Sequence, residues 1–107
     1  MNIINKKTNT KILYQDSFVT AFHDINKKAP IHILIVTNKL IASLNDVNDS
    51  DTILLGKLLI VATKMAKKYH IDKSGYRLII NCNFHGGQEI NHLHIHLLGG
   101  KPLGSIL

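Results

Sequence analysis

The sequence contains very little cysteine, proline or tryptophan, and each shortage excludes a class of protein. One of its 107 residues is cysteine, two are proline and none is tryptophan. A lone cysteine, Cys82, cannot form an intramolecular disulfide, so a disulfide-stabilised fold is excluded and a reducing compartment is favoured. The sequence has no Pro-rich linker and no internal repeat. We therefore predict a single domain over residues 1–107, built around one hydrophobic core.

Long hydrophobic runs are also missing. The longest apolar stretches, residues 31–36 and 53–62, are each interrupted by polar residues or glycine. Both fall well short of the ~18–20 uninterrupted apolar residues that a membrane span needs. Residues 1–7 lack the apolar segment of a signal peptide. We therefore expect a cytoplasmic protein with no membrane partner.

The charge is mostly of one sign, with 13 basic and 7 acidic residues and a net charge of +6. A positive charge agrees with a phosphate-bearing substrate. The lysine pairs at 6–7, 27–28 and 67–68 are far apart, however, and no aromatic residues interleave with them as a base-stacking surface requires. A solvated basic surface is therefore favoured, and no nucleic-acid partner is expected.

The pattern of apolar residues predicts an α+β fold. Apolar residues recur at intervals of three and four after the capping residues 48–51, which predicts one long helix to about Tyr69. A short helical turn is predicted over residues 38–44. Because the elements do not alternate as βαβ units, the sheet should be mainly antiparallel. The predicted strands are residues 11–14, 18–23, 31–37, 76–81 and 92–98.

Three of the seven histidines stand at alternate positions near the end of the sequence. Residues two apart in a strand share one face, about 6.6–6.8 Å apart. This spacing predicts three imidazoles on one face and three apolar side chains on the other. Both a zinc site and nucleophilic imidazole catalysis fit such a row, although no HxxxH or CxxC pattern supplies further zinc ligands. The alternating residues are His92, Leu93, His94, Ile95, His96 and Leu97.

The segments around this row resemble the Hint branch of the histidine-triad (HIT) family in order and spacing, over about residues 3–103. They read AFHDI at 21–25, APIHILIV at 29–36, GYRLIIN at 75–81, GGQ at 86–88 and HLHIHLLGG at 92–100. The resemblance implies a HIT-like fold, with a five-stranded mainly antiparallel sheet, one long helix and a short helix. It also implies a homodimer, and the apolar residues of the last strand and of residues 99–103 predict an exposed edge that a second subunit would cover. The implied activity is cofactor-free hydrolysis of purine nucleoside phosphoramidates, which are AMP or GMP conjugates linked through N or O.

The resemblance also assigns roles. His94 corresponds to the nucleophile that forms a nucleotidyl-histidine, and His96 to the donor to a non-bridging phosphate oxygen. His92 corresponds to the histidine that fixes the strand and the nucleophile's tautomer, with His32 as its partner. No residue is assigned to a metal. The nucleotide-binding positions are Ile3, Phe22, Ile25 and Leu34 for the purine, Asp24 for the ribose, Asn81 and Gly87 for the phosphate, and Glu89, His94 and His96 beside the scissile bond.

Several alternatives stay open. Asp24 is also explained by turn chemistry, Asn81 by strand capping, and His32 by burial in the core. Glu89 stands where the best-known Hint proteins have serine, so it either turns outward or is protonated and donates to the leaving group, and the second arrangement is favoured here. The alternative functions are a nucleotide-binding regulatory module with incidental hydrolysis, and a zinc-binding protein.

Overall fold

A computed structural model describes residues 11–106, and the predicted α+β architecture is confirmed. All strand pairs in the five-stranded sheet are antiparallel, and the strand order is β1-β2-β3-β5-β4. A single long helix packs on one face of the sheet. The elements are β1 (Ile12–Gln15), β2 (Val19–His23), β3 (Ile31–Thr37), α1 (Thr52–Lys68), β4 (Tyr76–Ile79) and β5 (His94–Gly99), with short 3-10 helices at Leu44–Asp46 and Asp49–Asp51.

Helix α1 forms where the apolar periodicity predicts it. Asn48 caps the preceding 3-10 turn by accepting a hydrogen bond from the Ser50 N–H group, at 2.9 Å. Lys67 and Lys68 lie in the last turn, where cations complement the helix dipole. The buried face of the helix packs into the main hydrophobic core, and burial of each large apolar side chain contributes about 1.5–3 kcal/mol. That face consists of Leu54, Leu58, Val61, Ala62, Met65 and Ala66.

Strands β3 and β5 form the centre of the sheet, and the two faces of these strands carry different kinds of residues. Their register pairs Ile35 with Ile95 and Leu34 with His96. Ile33, Ile35, Ile95 and Leu97 belong to the core cluster that includes the helix residues. Because side chains alternate along a strand, the opposite face carries His32, His94 and His96 together with apolar residues such as Leu34. The sheet therefore has one structural face and one face that holds histidines.

The structure corrects three predicted boundaries. The last strand begins at His94, because His92 lies in a bend where its N–H group donates to the Ile90 carbonyl oxygen, at 2.9 Å. The helical turn predicted over residues 38–44 does not form. The 3-10 helix begins instead after Ser43, whose side chain accepts from the Asn45 N–H group. Strand β4 ends at Ile79, two residues before Asn81.

The edge of the sheet also differs from expectation. Strand β5 lies between β3 and β4, so it is not the exposed edge that the dimer prediction assumed. Strand β4 takes that edge position, and all four of its residues are half-buried. Within residues 11–106, no helix is both long and apolar enough to span a membrane.

Candidate active site

Three histidine rings meet on the sheet face opposite α1. The ring centroids of His94 and His96 are 4.9 Å apart, and those of His32 and His96 are 5.1 Å apart. His94 and His96 are two residues apart on β5, and His32 lies on the neighbouring strand β3. The predicted cluster therefore forms, but its third ring belongs to His32 rather than His92.

The side chain of His92 points elsewhere, and its predicted place in the row is wrong. The ring is fully buried, and its Nε2–H group donates to the Thr37 carbonyl oxygen, at 2.7 Å. This bond joins the bend before β5 to the end of β3. The main chain of His92 nevertheless serves the site, because its carbonyl oxygen lies 2.6 Å from Nδ1 of His94. His92 thus contacts the neighbouring histidine through its backbone.

This backbone contact sets the tautomer of His94. A carbonyl oxygen only accepts hydrogen bonds, so Nδ1 of His94 must carry the hydrogen. In the neutral ring, Nε2 is then unprotonated and offers a lone pair. His94 is buried to 7% exposure, which restricts its ring to few orientations. The arrangement is suited to nucleophilic attack through Nε2.

A chain of hydrogen bonds sets the opposite tautomer in His96. The main-chain N–H group of Lys28 donates to Nδ1 of His32, at 3.0 Å, so the hydrogen of the neutral His32 ring is on Nε2. That Nε2 lies 2.9 Å from Nδ1 of His96 and donates to it. The remaining hydrogen of His96 is therefore on Nε2. His94 offers a lone pair, while the neighbouring His96 offers a donor.

The electrostatics favour the neutral forms of His96 and His32. Burial, together with the nearby His94 and His32, lowers the pKa of His96 to about 4, whereas Asp24 opposes the shift. Burial also lowers the pKa of His32, and again Asp24 opposes the change. Neutral rings are required for the donor and acceptor roles just described, so the hydrogen-bond chain is intact at neutral pH.

Asp24 continues the ladder between β2 and β3. Its N–H group donates to the His32 carbonyl oxygen, at 2.9 Å. Its Oδ1 accepts from the Asn26 N–H group, at 2.8 Å, so the turn interpretation is confirmed. Its Oδ2 is 3.4 Å from Nε2 of His32, and the side chain is 18% exposed. One oxygen therefore holds the turn while the other faces the histidines, on a side chain that is partly exposed.

The same residues form a group that could contact a metal ion. Potential ligand atoms of Asp24, His32 and His96 all lie within 4.8 Å of one another. Binding through Nε2 of His32 would require an unprotonated Nε2, whereas the Lys28 N–H group already occupies the Nδ1 lone pair. A metal ion would therefore have to break that backbone hydrogen bond or produce an imidazolate. The proton positions favour a hydrogen-bonded relay over a metal site.

The predicted purine residues are only partly brought together. Phe22 and Leu34 pair across β2 and β3 and form a small buried cluster with Val36. Leu34 pairs in turn with His96, so this apolar row leads to the histidines. Ile25 is 86% exposed. Ile3 lies outside the described residues.

The loop after β4 contains the predicted phosphate positions. Ile79 pairs with His96, so two residues further on the chain reaches the level of His94. There the Asn81 side chain donates to the Gly86 carbonyl oxygen, at 2.7 Å, which closes the loop. A Cβ atom on Gly86 would overlap the backbone of Cys82, so this position requires glycine. Gly87 has a φ of +77°, a conformation that also favours glycine.

Glu89 and Gln88 differ in their attachment to the rest of the protein. Glu89 is exposed and makes no hydrogen bond or ion pair with any other residue that the structure describes. Gln88 accepts from the Asn83 N–H group, at 2.8 Å, and donates to the Ala42 carbonyl oxygen, at 2.7 Å. Gln88 therefore fixes the loop, a role that the sequence did not reveal although the Gly-Gly-Gln segment marked its place.

Comparison with known proteins shows the same family over nearly the whole chain. A family profile described as HIT domain matches residues 5–103. The chain is 63% identical to a HIT-like protein of Buchnera aphidicola subsp. Baizongia pistaciae over 97 residues, which are 91% of this chain and 87% of the relative. It is 51% identical to the purine nucleoside phosphoramidase of Escherichia coli K12 over 105 residues, covering 98% of this chain and 88% of that enzyme.

Solved structures agree with these sequence comparisons. A HIT family hydrolase from Legionella pneumophila superposes with a TM-score of 0.90 at 43% identity, covering 95% of this chain and 91% of the other. A histidine triad protein from Clostridium difficile superposes with a TM-score of 0.91 at 40% identity, covering 98% and 91%. The fold and the order of its elements are therefore shared with HIT proteins.

Proposed function

Because the chain belongs to the HIT domain family, we propose that it is a purine nucleoside phosphoramidate hydrolase acting on AMP or GMP conjugates. One observation carries the proposal: an unprotonated Nε2 on His94 lies beside a ring, His96, whose Nε2 carries a hydrogen. A nucleophile next to a hydrogen-bond donor suits attack on a phosphorus atom whose oxygens gain negative charge. The Escherichia coli relative, named a purine nucleoside phosphoramidase, supports this substrate class.

The proposed reaction has two displacement steps. Nε2 of His94 attacks the α-phosphorus, a bond from nitrogen to phosphorus forms, and the bond to the leaving group breaks. The leaving amine departs with the electron pair and takes a proton from solvent or from a nearby acid. Water then attacks the nucleotidyl-histidine, gives up a proton and releases the nucleoside monophosphate, which restores neutral His94. In both steps the Nε2–H group of His96 donates to a non-bridging oxygen.

The remaining predicted residues would bind the nucleotide. The accessible carboxylate of Asp24 can accept hydrogen bonds from both ribose hydroxyls. Phe22 and Leu34 provide an apolar surface that leads to His96. Asn81 and the backbone at Gly87 lie on the loop that reaches the level of His94, where the phosphate would sit.

The test is incubation with a panel of adenosine and guanosine phosphoramidates, following release of the nucleoside monophosphate. Rapid quenching and mass spectrometry should detect a nucleotidyl group on the peptide that contains His94. Binding of AMP without turnover of any panel member would contradict the proposal and would favour the regulatory nucleotide-binding module.

Glu89 provides a prediction about the leaving group. Its exposed carboxylate is held by no described neighbour, which favours the outward arrangement over a role as proton donor. We expect Glu89→Gln to change turnover by less than about twofold, equally for basic amine and for fluoride or phenol leaving groups. Turnover rates measured across this series of leaving groups distinguish the two roles of Glu89. A loss confined to basic amines would show that Glu89 protonates the leaving group.

The response to chelators provides a second prediction. Hydrogen bonds alone hold His32 and His96 in their proposed arrangement, so this arrangement requires no metal ion. Exhaustive treatment with a chelator should therefore leave both the turnover rate and the melting temperature unchanged. Stoichiometric zinc in the purified protein, with activity or folding lost on its removal, would favour the zinc-binding alternative.

Assembly is the third prediction. The half-buried edge strand β4 leaves backbone groups unpaired, which a second copy could satisfy by continuing the sheet. We expect a homodimer, and light scattering at micromolar concentration should give twice the mass of one chain. A monomeric mass would refute this.

The cytoplasmic location also remains a prediction, which rests on the reducing compartment favoured by the single cysteine.

A further inference from the structure

One proton of His32 has two possible acceptors. Nε2 of His32 lies 2.9 Å from Nδ1 of His96 and 3.4 Å from Oδ2 of Asp24. The shorter distance is that of a normal hydrogen bond, whereas the longer one is a close electrostatic contact without a hydrogen bond. The carboxylate nevertheless carries a charge, and charged acceptors attract donors more strongly than neutral ones. His96 and Asp24 therefore compete for the same hydrogen.

Asp24 also supports His32 from the other side of the ring. Its Oδ1 holds the Asn26 N–H group, at 2.8 Å, in the turn that leads to Lys28. The Lys28 N–H group donates to Nδ1 of His32 and so keeps the hydrogen of that ring on Nε2. His32 is 2% exposed, so water does not substitute for these contacts. One oxygen of Asp24 thus lies near the His32 ring, and the other holds the turn that leads to the backbone donor of that ring.

We infer that Asp24 is a positioning residue for His96, acting through His32, so that recognition of the ribose is linked to the chemical step. When the two ribose hydroxyls donate to the Asp24 carboxylate, its attraction for the His32 hydrogen weakens. His32 then donates fully to Nδ1 of His96, which holds the Nε2–H group of His96 toward the phosphate. This inference rests on the proposed function, since it assigns Asp24 to the ribose and His96 to the phosphate.

With this coupling, the two ribose hydroxyls contribute to kcat as well as to KM. If Asp24 only bound the ribose, removal of the hydroxyls would weaken substrate binding. The size of that effect would then be the same whether or not His32 was present. If the coupling operates, part of the ribose interaction is realised only in the transition state. The influence of the ribose hydroxyls on kcat should then disappear when His32, which lies between Asp24 and His96, is replaced by a residue that forms no hydrogen bonds.

The kinetic experiment compares ribose and 2′,3′-dideoxyribose forms of one adenosine phosphoramidate. In the wild-type protein the dideoxy substrate should lower kcat by about tenfold, the worth of one hydrogen bond, and should also raise KM. In His32→Phe, which keeps ring volume without hydrogen bonds, kcat should be low for both substrates and equal between them. His32→Gln, whose amide can donate to His96, should recover part of kcat.

The matched control is His23→Phe. His23 is the last residue of β2 and immediately precedes Asp24. Its ring nevertheless packs against Tyr69, with centroids 5.5 Å apart. This variant should retain the full difference in kcat between the two substrates. An equal kcat for both substrates in the wild-type protein would overturn the inference. So would an undiminished difference in His32→Phe.

A second measurement does not depend on turnover. Imidazole ¹⁵N spectra of the wild-type protein distinguish Nε2–H from Nδ1–H tautomers, and they should show the Nε2–H form for His32 and His96. Saturation with AMP should shift the His32 Nε2–H resonance, whereas 2′,3′-dideoxy-AMP at saturation should leave it in place. Identical shifts with both nucleotides, or an Nδ1–H tautomer in His96, would refute the inference even if no phosphoramidate were hydrolysed.

Discussion

Replacement of His94 with alanine should abolish turnover of phosphoramidates while leaving AMP binding within about tenfold of the wild-type value. The unprotonated Nε2 of His94 is the proposed nucleophile, and its orientation is set by the His92 carbonyl oxygen. Loss of a covalent nucleophile removes the intermediate altogether, so the rate should fall by several orders of magnitude. The proposed nucleotide-binding groups, such as Asp24, lie outside this ring, so AMP binding should largely survive.

The control for this prediction is His23→Ala. It removes an imidazole of similar size from the helix-facing side of the sheet, where the ring contacts Tyr69. Steady-state turnover and AMP affinity, measured for both variants, separate a chemical role from a packing role. Retention of more than a few per cent of wild-type activity in His94→Ala would exclude His94 as the nucleophile.

The sequence predicted the fold well because its periodicities are strong. The 3–4 spacing of apolar residues located α1, and the near-continuous apolar run at Ile31–Thr37 located strand β3. The alternation after residue 93 located β5 and correctly placed His94 and His96 on one face. These features depend on local pattern, which a single sequence displays directly.

The parts of the site that escaped prediction depend on main-chain groups and distant contacts. His92 leaves the strand because its ring finds the Thr37 carbonyl oxygen, 55 residues away in sequence. The tautomer of His32 depends on the N–H group of Lys28, which any residue other than proline could supply. Such backbone donors leave no signature in residue type. For the same reason, the sequence could not decide whether His32 was a core residue or a partner of the site, and the structure shows that it is both buried and joined to His96.

Acid should destabilise the protein, and His96 should account for a defined share of the loss. Burial lowers the pKa of His96 to about 4 in the folded state, whereas the ordinary value is 6.5. Between these two pH values the unfolded chain binds a proton that the folded protein does not, so the free energy of unfolding falls as the pH falls. The lowered pKa values of His32 and His23 act in the same direction.

From pH 7 to pH 5, the share of His96 should be about 1–2 kcal/mol after allowance for its partial exposure, or a drop in Tm of about 5–10 °C. Thermal unfolding of wild type and His96→Asn at fixed protein concentration measures this share as the difference in pH dependence between them, whatever the absolute stability of the variant. The matched control His70→Asn changes an exposed histidine in the turn after α1 and should keep the wild-type pH dependence. An unchanged pH dependence in His96→Asn would mean that folding does not lower the pKa of His96, and the electrostatic support for the neutral donor that the proposed mechanism assigns to this ring would then be lost.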